Sequence, residues 1–477
     1  LLIFYLYKKY KNYLLFMYFK NTKKGSKFIE NKKSDAINII KKKIFSNVFK
    51  NNFKTIPIKG LDTVDIKNII NTRKSDEGNK ISGCIYINNK ECESLINYVN
   101  KKYLYSNPLH PDIYPELIKM ESEIIKMVGH LFDLPKEGGG NLTTGGTEST
   151  ICALKAYKKL KKRYFNFGKL EVLCTKTVHA AVNKACDLLD LKIVYVKLDE
   201  NKVMDIVDLQ NKINRNTCVI VASYPCFAYG LIDPISMISE IANDFNVPLH
   251  VDACLGGFIT QFYKYLRLSF TDNIQSISID PHKFGYAPKG SSVLLWKNRK
   301  LKHNQYFIQS NWTGGIYASV SLPGSRVGSQ IANTWASLLY FGTEIYKSYS
   351  CKIIEKTKYI KEQISKIESF KVVGNPTVNV VAFYSEVYPV GQIIDYVSKK
   401  GWNLNILQDP LCVHICITPK NIEFLDELLY TLEKITKEKV NNEFDNIASI
   451  YGLSASIPDK SIIDEIVCEY LDMTTNI

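Results

Sequence analysis

The sequence predicts an α/β fold, with a mostly parallel central sheet covered by helices and a smaller C-terminal α/β domain. A chain of 477 residues is too long for one simple core, so two or three domains are expected. From about residue 140, apolar runs with strand character alternate with helical patterns, an order typical of parallel sheets. A shorter set of such patterns follows a long helix after residue 345.

The elements follow from these patterns. Six apolar runs are predicted strands of the large sheet: Val172–Cys174, Ile193–Val196, Cys218–Ala222, Pro248–Val251, Ser276–Ile279 and Val293–Trp296. Predicted helices cover Ala36–Phe49, Pro115–Leu131, Glu148–Arg163, Ala180–Leu189 and Ile235–Phe245. The C-terminal domain is predicted to contain strands at Val372–Val373, Val378–Tyr384 and Val413–Thr418 and a helix near Gly391–Lys400. Gly138–Gly140 is predicted to be loop.

Charge is distributed unevenly along the chain. The formal net charge is +15, and residues 1–60 contain 15 Lys against only Glu30 and Asp35. The remainder is therefore close to neutral and lacks the extended basic surface of a nucleic-acid-binding protein, so we predict no nucleic-acid partner. The basic N-terminal arm could bind RNA or an anionic membrane surface, and the apolar aromatic segments around it favour the membrane.

The first twenty residues, LLIFYLYKKYKNYLLFMYFK, contain two apolar patches on either side of Lys8, Lys9 and Lys11. A bilayer span requires roughly 20 mostly apolar residues, and three central lysines would cost on the order of 7–10 kcal/mol. This segment is therefore a poor span and is better suited to lying in the interface as a basic aromatic helix. The alternative is a span upstream of it, because the sequence does not begin with Met.

The 12 Cys show no paired spacing typical of metal sites, and the sequence has no convincing cleavable signal peptide. We therefore predict no metal, and reduced, mostly buried thiols in a cytosol-facing protein. An even number of cysteines is not evidence for disulfides in a chain of this length.

Lys283 lies in the run SIDPHKFGYAPKG (residues 278–290), between two apolar stretches that are predicted buried strands. Desolvation favours the neutral amine of a lysine, and a neutral amine forms Schiff bases with carbonyl groups. A His-Lys pair flanked by Gly and Pro is the setting expected of a lysine that holds pyridoxal phosphate. Taken alone, His282 and Lys283 are more simply two basic residues on a loop, so this interpretation depends on motifs elsewhere.

The run TTGGTES (residues 143–149) opens the first long helix of the sheet region. Glycines allow the backbone to approach a ligand closely, and free amides at a helix N-terminus bind phosphate. Gly145, Gly146 and Thr147 are therefore candidate phosphate ligands. A glycine-rich turn with an ordinary Thr N-cap explains the same residues about equally well.

Asp252 ends a predicted buried strand in HVDAC (residues 250–254), and ligands bind at the carboxyl ends of strands in open α/β sheets. A buried carboxylate requires a cation, and a protonated pyridine nitrogen beside Asp252 would be a stronger electron sink. His179, at the start of a helix after a strand, could stack on such a ring. The alternatives are an N-cap role for Asp252 and a structural role for His179.

Two further segments offer candidate ligands for an anionic group. The loop NPLHPD (residues 107–112) is rigid, polar and braced by prolines, and it contains Asn107 and His110; a simple turn is the alternative. Downstream of Lys283, Lys289 and Arg326 offer cations, and the fork of a guanidinium matches phosphate.

The motifs follow one another in the order NPLHPD, TTGGTEST, HAAVNKA, GLIDPI, HVDACLGGF, DPHKFGYAPKGSS, GGIYAS, GSRVG and KGWNLN. In this order they resemble the sphingosine-1-phosphate lyases, a branch of the pyridoxal-phosphate-dependent group II decarboxylase family, from about Ile81 to about Gly452. Amino-acid decarboxylases share HVDA and HK, whereas NPLHPD, YAPKGSS, GGIYAS and GSR are more particular to the lyases.

The resemblance implies a PLP-dependent transferase fold of type I and a homodimer with a shared active site. It implies that Lys283 is the Schiff-base lysine, that Asp252 pairs with the pyridinium and that His179 stacks on the ring. The residues implied to hold the cofactor phosphate are Gly146, Thr147 and His282, with Ser329 reaching in from the other subunit.

On the substrate side, the resemblance implies that a phosphate and an amino-alcohol are faced by Tyr86, Asn107, His110 and Lys289. Pro281 and Phe284 depart from the family pattern, which usually has Thr and Tyr beside the lysine. These departures remove two hydroxyls near the cofactor and affect the expected rate and positioning, but not the cofactor itself.

The implied reaction is retro-aldol cleavage of the C2–C3 bond of phosphorylated long-chain bases, which gives a long-chain aldehyde and phosphoethanolamine. Tyr86 and a phosphate-linked water are alternative bases for the C3 hydroxyl. An amino-acid decarboxylase on the same fold is one alternative function, but Lys289, Arg326 and the NPLHPD loop suit a substrate phosphate. An inactive, membrane-tethered homologue is the other, and retention of Lys283 and the glycine loop argues against it.

We accordingly divide the chain into four parts. Residues 1–80 form the basic arm, residues 81–139 contribute to the active site and the dimer, residues 140–345 bind the cofactor, and residues 346–477 form the small domain and tail. The implied location is the endoplasmic reticulum membrane, with the catalytic domain facing the cytosol.

Overall fold

The structure is a computed structural model that describes residues 16, 18–42, 55–72, 78–164, 168–270, 273–437 and 461–475. The chain divides into two units. The larger comprises Asn79–Phe383 and His414–Leu429, and the smaller comprises Leu1–Gly78, Tyr384–Val413 and Tyr430–Ile477. The domain boundaries that we place at residues 80, 139 and 345 stay predictions.

The central sheet lies in the larger unit and has seven strands: β1 (Gly139–Thr143), β2 (Glu171–Thr175), β3 (Lys192–Val196), β4 (Thr217–Ser223), β5 (Leu249–Asp252), β6 (Ser276–Ile279) and β7 (Ser292–Trp296). Their order across the sheet is β1-β7-β6-β5-β4-β2-β3. Strands β2 to β6 pair in parallel, whereas β7 is antiparallel to both β6 and β1. The six predicted strands and the mostly parallel sheet are confirmed.

The helices of the described residues are α1 (Lys23–Ile40), α2 (Thr63–Thr72), α3 (Lys90–Tyr103), α4 (Pro115–Leu131), α5 (Gly146–Lys162), α6 (Ala181–Leu188), α7 (Ile206–Lys212), α8 (Ile235–Asp244), α9 (Gly257–Thr260), α10 (Arg299–Lys302), α11 (Gly328–Lys366), α12 (Val390–Lys399), α13 (Leu425–Lys437) and α14 (Ser461–Thr475). The long helix α11 is interrupted at Gly342, which has a left-handed φ of 59°. The helices that we predicted over the sheet region, near residue 391 and at Pro115–Leu131 are confirmed.

Packing of helix α5 against the sheet fixes the position of the glycine-rich loop that precedes it. Its residues Leu154 and Tyr157 are buried in one apolar cluster with Trp296 of β7. The Tyr157 and Trp296 rings lie 5.4 Å apart, and the Tyr157 hydroxyl is 2.6 Å from Oγ of Ser276 on β6. Because each buried large side chain contributes about 1.5–3 kcal/mol, α5 and the loop before it are held firmly against the sheet.

One predicted loop is a strand. Gly139 and Gly140 belong to β1, so the prediction that Gly138–Gly140 is loop was wrong for these two residues. A Cβ on Gly140 would lie 2.9 Å from the carbonyl oxygen of Leu294 on β7, which explains why glycine occupies this strand. A run of glycines is typical of turns in a sequence, and only the sheet reveals the close approach of a neighbouring strand.

A smaller sheet has four strands, β10 (Phe370–Val372), β11 (Val380–Ser385), β12 (Asn405–Leu407) and β13 (Cys412–Cys416), in the order β10-β11-β13-β12. Three of them overlap the strands that we predicted for the C-terminal domain, and β12 was not predicted. In the chain, β8 (Phe307–Gln309) and β9 (Tyr317–Ser319) come between β7 and β10 and form a separate antiparallel hairpin.

In the smaller unit, helices α1 and α14 pack against each other. Ile29 and Ala36 of α1 are buried with Ile462 and Ile466 of α14. The predicted helix Ala36–Phe49 overlaps the end of α1, and its last residues lie outside the described part of the chain. Within the described ranges, no helix combines the length and the apolar character needed to cross a membrane.

The cysteines are mostly buried, as predicted. Nine of the 12 are buried, while Cys84 and Cys468 are exposed and Cys351 is intermediate. Burial raises the pKa of the thiols, to about 11 for Cys186 and about 12 for Cys152, so these groups are neutral at physiological pH.

Candidate active site

A cavity of about 360 Å³ opens at the carboxyl edge of the central sheet. Strands β1, β2, β4, β5 and β6 run in the same direction, so the residues that follow them converge at this edge. Seven residues predicted from the sequence to bind a cofactor line the cavity together: Gly145, Gly146, Thr147, His179, Asp252, His282 and Lys283.

The glycine-rich loop between β1 and α5 forms one wall, and Glu148 fixes its shape. Oε2 of Glu148 accepts hydrogen bonds from the backbone N–H and from the hydroxyl of Thr144, both at 2.7 Å. Oε1 accepts a hydrogen bond from the N–H of Leu322 at 3.0 Å. The first amides of α5 have no acceptor within the helix and, with the hydroxyl of Thr147, can hold a phosphate. The sequence predicts no role for Glu148, because a helical Glu is unremarkable without its contacts.

Gly146 is required by close packing. A Cβ at this position would lie 2.8 Å from Sγ of Cys254 and 3.1 and 3.3 Å from the two carboxylate oxygens of Asp280. Gly145 is less constrained, since a Cβ there would meet Cε1 of His282 at 3.5 Å, an ordinary van der Waals contact. The loop can therefore approach the strand ends closely because its second glycine has no side chain.

Asp252 is the last residue of β5, as predicted, and its Oδ1 accepts a hydrogen bond from the N–H of Cys254 at 3.0 Å. Two residues earlier, His250 is fully buried in the sheet. Its Nδ1 is 2.7 Å from Oγ of Ser276, and its Nε2 is 3.3 Å from Oγ of Ser278. Burial lowers the pKa of His250 to about 4, so a neutral, hydrogen-bonded imidazole supports the strand that carries Asp252.

Lys283 lies on the turn between β6 and β7, as predicted, and its Nζ is 3.0 Å from Oδ2 of Asp280. Burial lowers the pKa of Lys283, but Asp280, followed by Cys254, Tyr86 and Asp252, raises it, and the net pKa is raised. Desolvation alone was expected to free the amine of its proton. The carboxylate of Asp280, for which the sequence predicts no role, outweighs that effect.

The signal for Asp280 was present in the sequence, because this residue directly follows a buried strand, three positions before Lys283. Next to it, His282 is oriented by the backbone: its Nδ1 accepts a hydrogen bond from the N–H of Ser291 at 3.2 Å. Burial lowers the pKa of His282 more than Asp280 raises it. The neutral ring then carries its proton on Nε2, 3.5 Å from Oδ2 of Asp280, where it can also be donated to an anion.

His179 is held from two sides. Its Nδ1 accepts a hydrogen bond from the N–H of Ala181 at 3.1 Å. Its ring meets Phe227 edge-on, with centroids 6.0 Å apart, and Phe227 meets His414 in the same way at 4.9 Å. Phe227 also lines the cavity. The sequence predicts no role for Phe227, because no pattern distinguishes it from other aromatic residues.

Tyr86 and Lys289 lie together beside the lysine turn, but neither lines the cavity. Nζ of Lys289 is 4.5 Å from the centroid of the Tyr86 ring, and Phe284 meets the same ring edge-on at 4.9 Å. Burial raises the pKa of Tyr86, so its phenol keeps its proton at neutral pH. A protonated phenol donates a hydrogen bond readily and accepts a proton poorly, which disfavours Tyr86 as the general base.

Pro281 and Phe284, the two departures from the family pattern, are both buried. Phe284 is 2% exposed and packs against the ring that carries the phenol of Tyr86. A hydroxyl at position 284 would need a partner in this largely apolar contact. The rings of Tyr86 and Tyr286, which both carry a hydroxyl, lie next to Phe284.

Three predicted substrate residues do not line the cavity that contains Lys283. Asn107 donates from Nδ2 to Oγ of Ser325 at 3.1 Å, and His110 lies exposed on the same loop. Arg326 lines a second groove of about 880 Å³ that shares no lining residue with the cavity. Ser329 is buried in the first turn of α11 and does not line the cavity either. Asn107, His110, Arg326 and Ser329 therefore do not line the cavity that contains Lys283, and their roles stay predictions.

The residues of the cavity fit pyridoxal phosphate. The helix N-terminus at Gly146 suits a phosphate, the carboxylate of Asp252 suits a ring nitrogen, and the amine of Lys283 suits an aldehyde. A volume of about 360 Å³ lies within the range of small-molecule sites.

Comparison with known proteins agrees with this fit. Residues 85–386 match the family model of the pyridoxal-dependent decarboxylase conserved domain. The chain is 37% identical over 447 residues to the sphingosine-1-phosphate lyase of Dictyostelium discoideum, an alignment that covers 90% of this chain and 84% of that protein. It is 33% identical over 443 residues to the sphingosine-1-phosphate lyase of Saccharomyces cerevisiae, covering 88% of this chain and 75% of that protein.

One solved structure supports the same family, and a second shows the fold. Sphingosine-1-phosphate lyase from Burkholderia pseudomallei superimposes with a TM-score of 0.78 at 29% identity, covering 82% of this chain and 94% of that one. Glutamate decarboxylase from Lactobacillus brevis superimposes with a TM-score of 0.73 over 84% of this chain and 97% of that one, and its 17% identity shows the fold alone. The chain therefore belongs to the sphingosine-1-phosphate lyase family, within the pyridoxal-phosphate-dependent decarboxylase group.

Proposed function

We propose that this chain is a pyridoxal-phosphate-dependent lyase of sphingolipid metabolism that cleaves phosphorylated long-chain bases, such as sphingosine 1-phosphate, between C2 and C3. The products are a long-chain aldehyde and phosphoethanolamine. One observation carries the proposal: Lys283, Asp252 and His179 meet the glycine loop in one cavity, in a chain of the sphingosine-1-phosphate lyase family.

The bound cofactor supplies an electron sink for the bond that breaks. Within this chain, Lys283 is the residue that would hold the cofactor aldehyde, and Asp252 would keep the ring nitrogen protonated by ion pairing. His179, whose plane is set by Ala181 and Phe227, would cover one ring face. The loop residues Gly145, Gly146 and Thr147 and the Nε2–H of His282 would hold the phosphate.

On the substrate side, Lys289 is an exposed cation on the same turn as Lys283 and suits the substrate phosphate. The protonated phenol of Tyr86 lies under the Lys289 ammonium and can donate a hydrogen bond to a substrate oxygen. This arrangement assigns Tyr86 to orientation, and leaves a phosphate-linked water as the base for the C3 hydroxyl.

We further propose a homodimer in which each copy completes the site of the other. The residues that the second copy would contribute are Asn107, His110, Arg326 and Ser329. Two observations support this: the family resemblance of the loops that carry these residues, and the absence of all four residues from the lining of the cavity.

Complementation tests the shared site. Lys283→Ala and His110→Ala would each inactivate the homodimer, but mixing the two proteins after partial denaturation and refolding should restore activity, because one of the two sites in a mixed dimer carries neither change. Mixing two preparations of Lys283→Ala is the matched control. Failure of the mixture to gain activity, although mass spectrometry detects mixed dimers, would rule out sharing of His110 between subunits.

We propose that the N-terminal arm lies against the cytosolic face of the endoplasmic reticulum membrane. The apolar side of α1 packs on α14, and the exposed side carries Lys23, Lys24 and Lys27 beside Phe28, which is 54% exposed. Each lysine near an anionic lipid surface contributes about 1 kcal/mol, and exposed aromatic rings suit the interface.

Vesicle sedimentation tests this arm. The protein should bind vesicles that contain phosphatidylserine and dissociate at high salt, and a variant with Lys23, Lys24 and Lys27 changed to Glu should bind more weakly. Equal binding to neutral vesicles would contradict the electrostatic proposal, and the position of the tagged chain in cells tests the organelle.

Product analysis tests the reaction itself. The cofactor-loaded protein is incubated with sphingosine 1-phosphate, and long-chain aldehyde and phosphoethanolamine are quantified, with Lys283→Ala as control. We expect both products from the wild type and neither from the variant. Release of carbon dioxide from glutamate or an aromatic amino acid, without aldehyde, would instead support an amino-acid decarboxylase. A loaded wild type that forms no product at all would support an inactive homologue.

A further inference from the structure

Asp280 is a buried carboxylate that the proposed reaction does not yet use. It follows β6 directly, and its side chain is 1% exposed. Its Oδ2 lies 3.0 Å from Nζ of Lys283 and 3.5 Å from Nε2 of His282. An ionised carboxylate in such surroundings requires a cation, and the ammonium of Lys283 supplies it.

The second oxygen of Asp280 faces the glycine loop. Oδ1 is buried and has no hydrogen-bond partner among the residues that the structure describes. A Cβ on Gly146 would lie 3.3 Å from this Oδ1 and 3.1 Å from Oδ2. The carboxylate is therefore enclosed between the first residue of α5 and the amine of Lys283, in contact with both the loop and the lysine.

We propose that Asp280 is a positioning residue that holds the side chain of Lys283 as an ammonium and takes up the proton that this ammonium must lose before the amine can react with an aldehyde. In this step one N–H bond of Lys283 breaks and one O–H bond of Asp280 forms. The ion pair becomes a neutral amine beside a neutral carboxylic acid. Atoms and charge balance without another reactant.

Other titratable groups also face Lys283, but none matches the contact made by Asp280. They are Cys254 and Asp252 at the end of β5, Tyr86, Cys416 on β13, and His282 and Lys289 on the same turn. Burial raises the pKa of both thiols and of the phenol, so these three groups are neutral and do not act as counter-ions. Asp280 is thus the buried acid that touches the amine.

This inference deepens the proposed function, since it concerns the lysine assigned to the cofactor. Its test uses neither cofactor nor substrate. The role of Asp280 can therefore be disproved while the proposed lyase activity holds, and the lyase activity can be disproved while the role of Asp280 holds. The test is competitive labelling of cofactor-free protein with acetic anhydride over a range of pH, followed by peptide mass spectrometry. This measurement gives the reactivity and the titration midpoint of each lysine separately.

We expect Asp280→Asn to increase labelling of Lys283 at neutral pH by at least about tenfold, because an adjacent opposite charge shifts a pKa by about 1–3 units. Asp280→Glu keeps a carboxylate, so Lys283 in this variant should be labelled to the same extent as in the wild type. Asp208→Asn is the matched control: it removes another Asp–Lys pair, with Lys212 at 2.6 Å, and should leave Lys283 unchanged.

Unchanged labelling of Lys283 in Asp280→Asn would overturn the proposal. An equal increase in Asp280→Glu would also overturn it, because the cause would then be loosened packing and not the lost charge. If circular dichroism shows that Asp280→Asn is unfolded, the labelling of the wild type alone tests the proposal. A titration midpoint of Lys283 at or below that of an exposed lysine such as Lys264 would then contradict the role assigned to Asp280.

Discussion

Arg326 and Glu121 form a two-pronged ion pair, with Nη1 and Nη2 of the guanidinium 2.7 and 2.8 Å from the two carboxylate oxygens. The side chains are 17% and 11% exposed, so both charges are largely withdrawn from water. Oε1 of Glu121 also accepts a hydrogen bond from the N–H of Leu142 at 3.1 Å. The pair therefore ties α4 to β1 and to the segment that leads into α11.

From this ion pair we expect Arg326 to contribute mainly to the stability of the fold. Arg326→Met should lower the free energy of unfolding by about 2–4 kcal/mol, because the carboxylate of Glu121 is left largely buried without its cation. Urea unfolding measures this change. The double variant with Glu121→Met should be less destabilised than the sum of the two single variants. A stable Arg326→Met protein whose KM for the phosphorylated base rises would instead support the role in substrate binding predicted from the sequence.

The two glycines of the loop should respond differently to the same substitution. Gly146→Ala places a methyl group within 2.8 Å of Cys254 and should weaken pyridoxal phosphate binding about tenfold or more, since overpacking costs about 1–3 kcal/mol. Gly145→Ala meets an ordinary contact at 3.5 Å and should weaken binding less. Titration of the visible absorbance of the bound cofactor gives both dissociation constants. Equal losses of cofactor affinity in the two variants would mean that close packing of Gly146 against Cys254 and Asp280 does not matter for cofactor binding.

Tyr86 should affect the rate without setting its pH dependence. Burial raises the pKa of its phenol, so Tyr86 stays protonated across the working range. Tyr86→Phe should lower kcat/KM for the phosphorylated base but leave the shape of the pH–rate profile unchanged. Loss of the acidic limb of that profile in Tyr86→Phe would show that the phenol acts as the general base after all. The phenylalanine keeps the contact with Phe284, so the fold should be preserved.

Two buried histidines should make the larger unit sensitive to acid. Burial lowers the pKa of His250 and of His414 to about 4, whereas an unfolded histidine titrates near about 6.5. Above about pH 6.5 these histidines are neutral in both the folded and the unfolded chain, so they do not reduce the stability of the fold. As the pH falls towards about 4, only the unfolded chain binds these protons, and each histidine lowers the unfolding free energy by about 3 kcal/mol.

Asp233 acts in the opposite direction, because burial raises its pKa to about 6. The histidine effect is therefore best isolated by a variant. His414→Gln, which can keep the hydrogen bond to the carbonyl oxygen of Ala228, should flatten the dependence of the urea midpoint on pH between about 6.5 and about 4. An identical pH dependence in wild type and variant would exclude His414 as a source of acid sensitivity.

Much of the fold could be predicted because its signals are local. The apolar runs that became β2 and β4 to β7 are buried and bounded by turns, whereas β3 is a partly exposed edge strand. The helix Pro115–Leu131 begins with the Pro that favours a first helical turn. Strand β1 was missed for the same reason, since its glycines carry a local turn signal. Their fit against Leu294 depends on a residue that is distant in the sequence.

The meeting of seven of the predicted cofactor residues in one cavity was likewise predictable from their order and type. Lys283, His179 and the glycine loop each follow a strand, Asp252 ends one, and parallel strands end at one edge. The sequence by itself thus determined six of the seven strands of the central sheet and the residues that meet at its carboxyl edge.

Only the tertiary structure decided the charge on those residues and the partners that hold them. The ammonium of Lys283 is stabilised by Asp280, the glycine loop is shaped by Glu148, and the guanidinium of Arg326 is bound by Glu121. A pKa or an ion pair depends on distances of a few ångströms between side chains, because electrostatic energy varies with separation and burial. Sequence spacing does not contain those distances, and packing sets them.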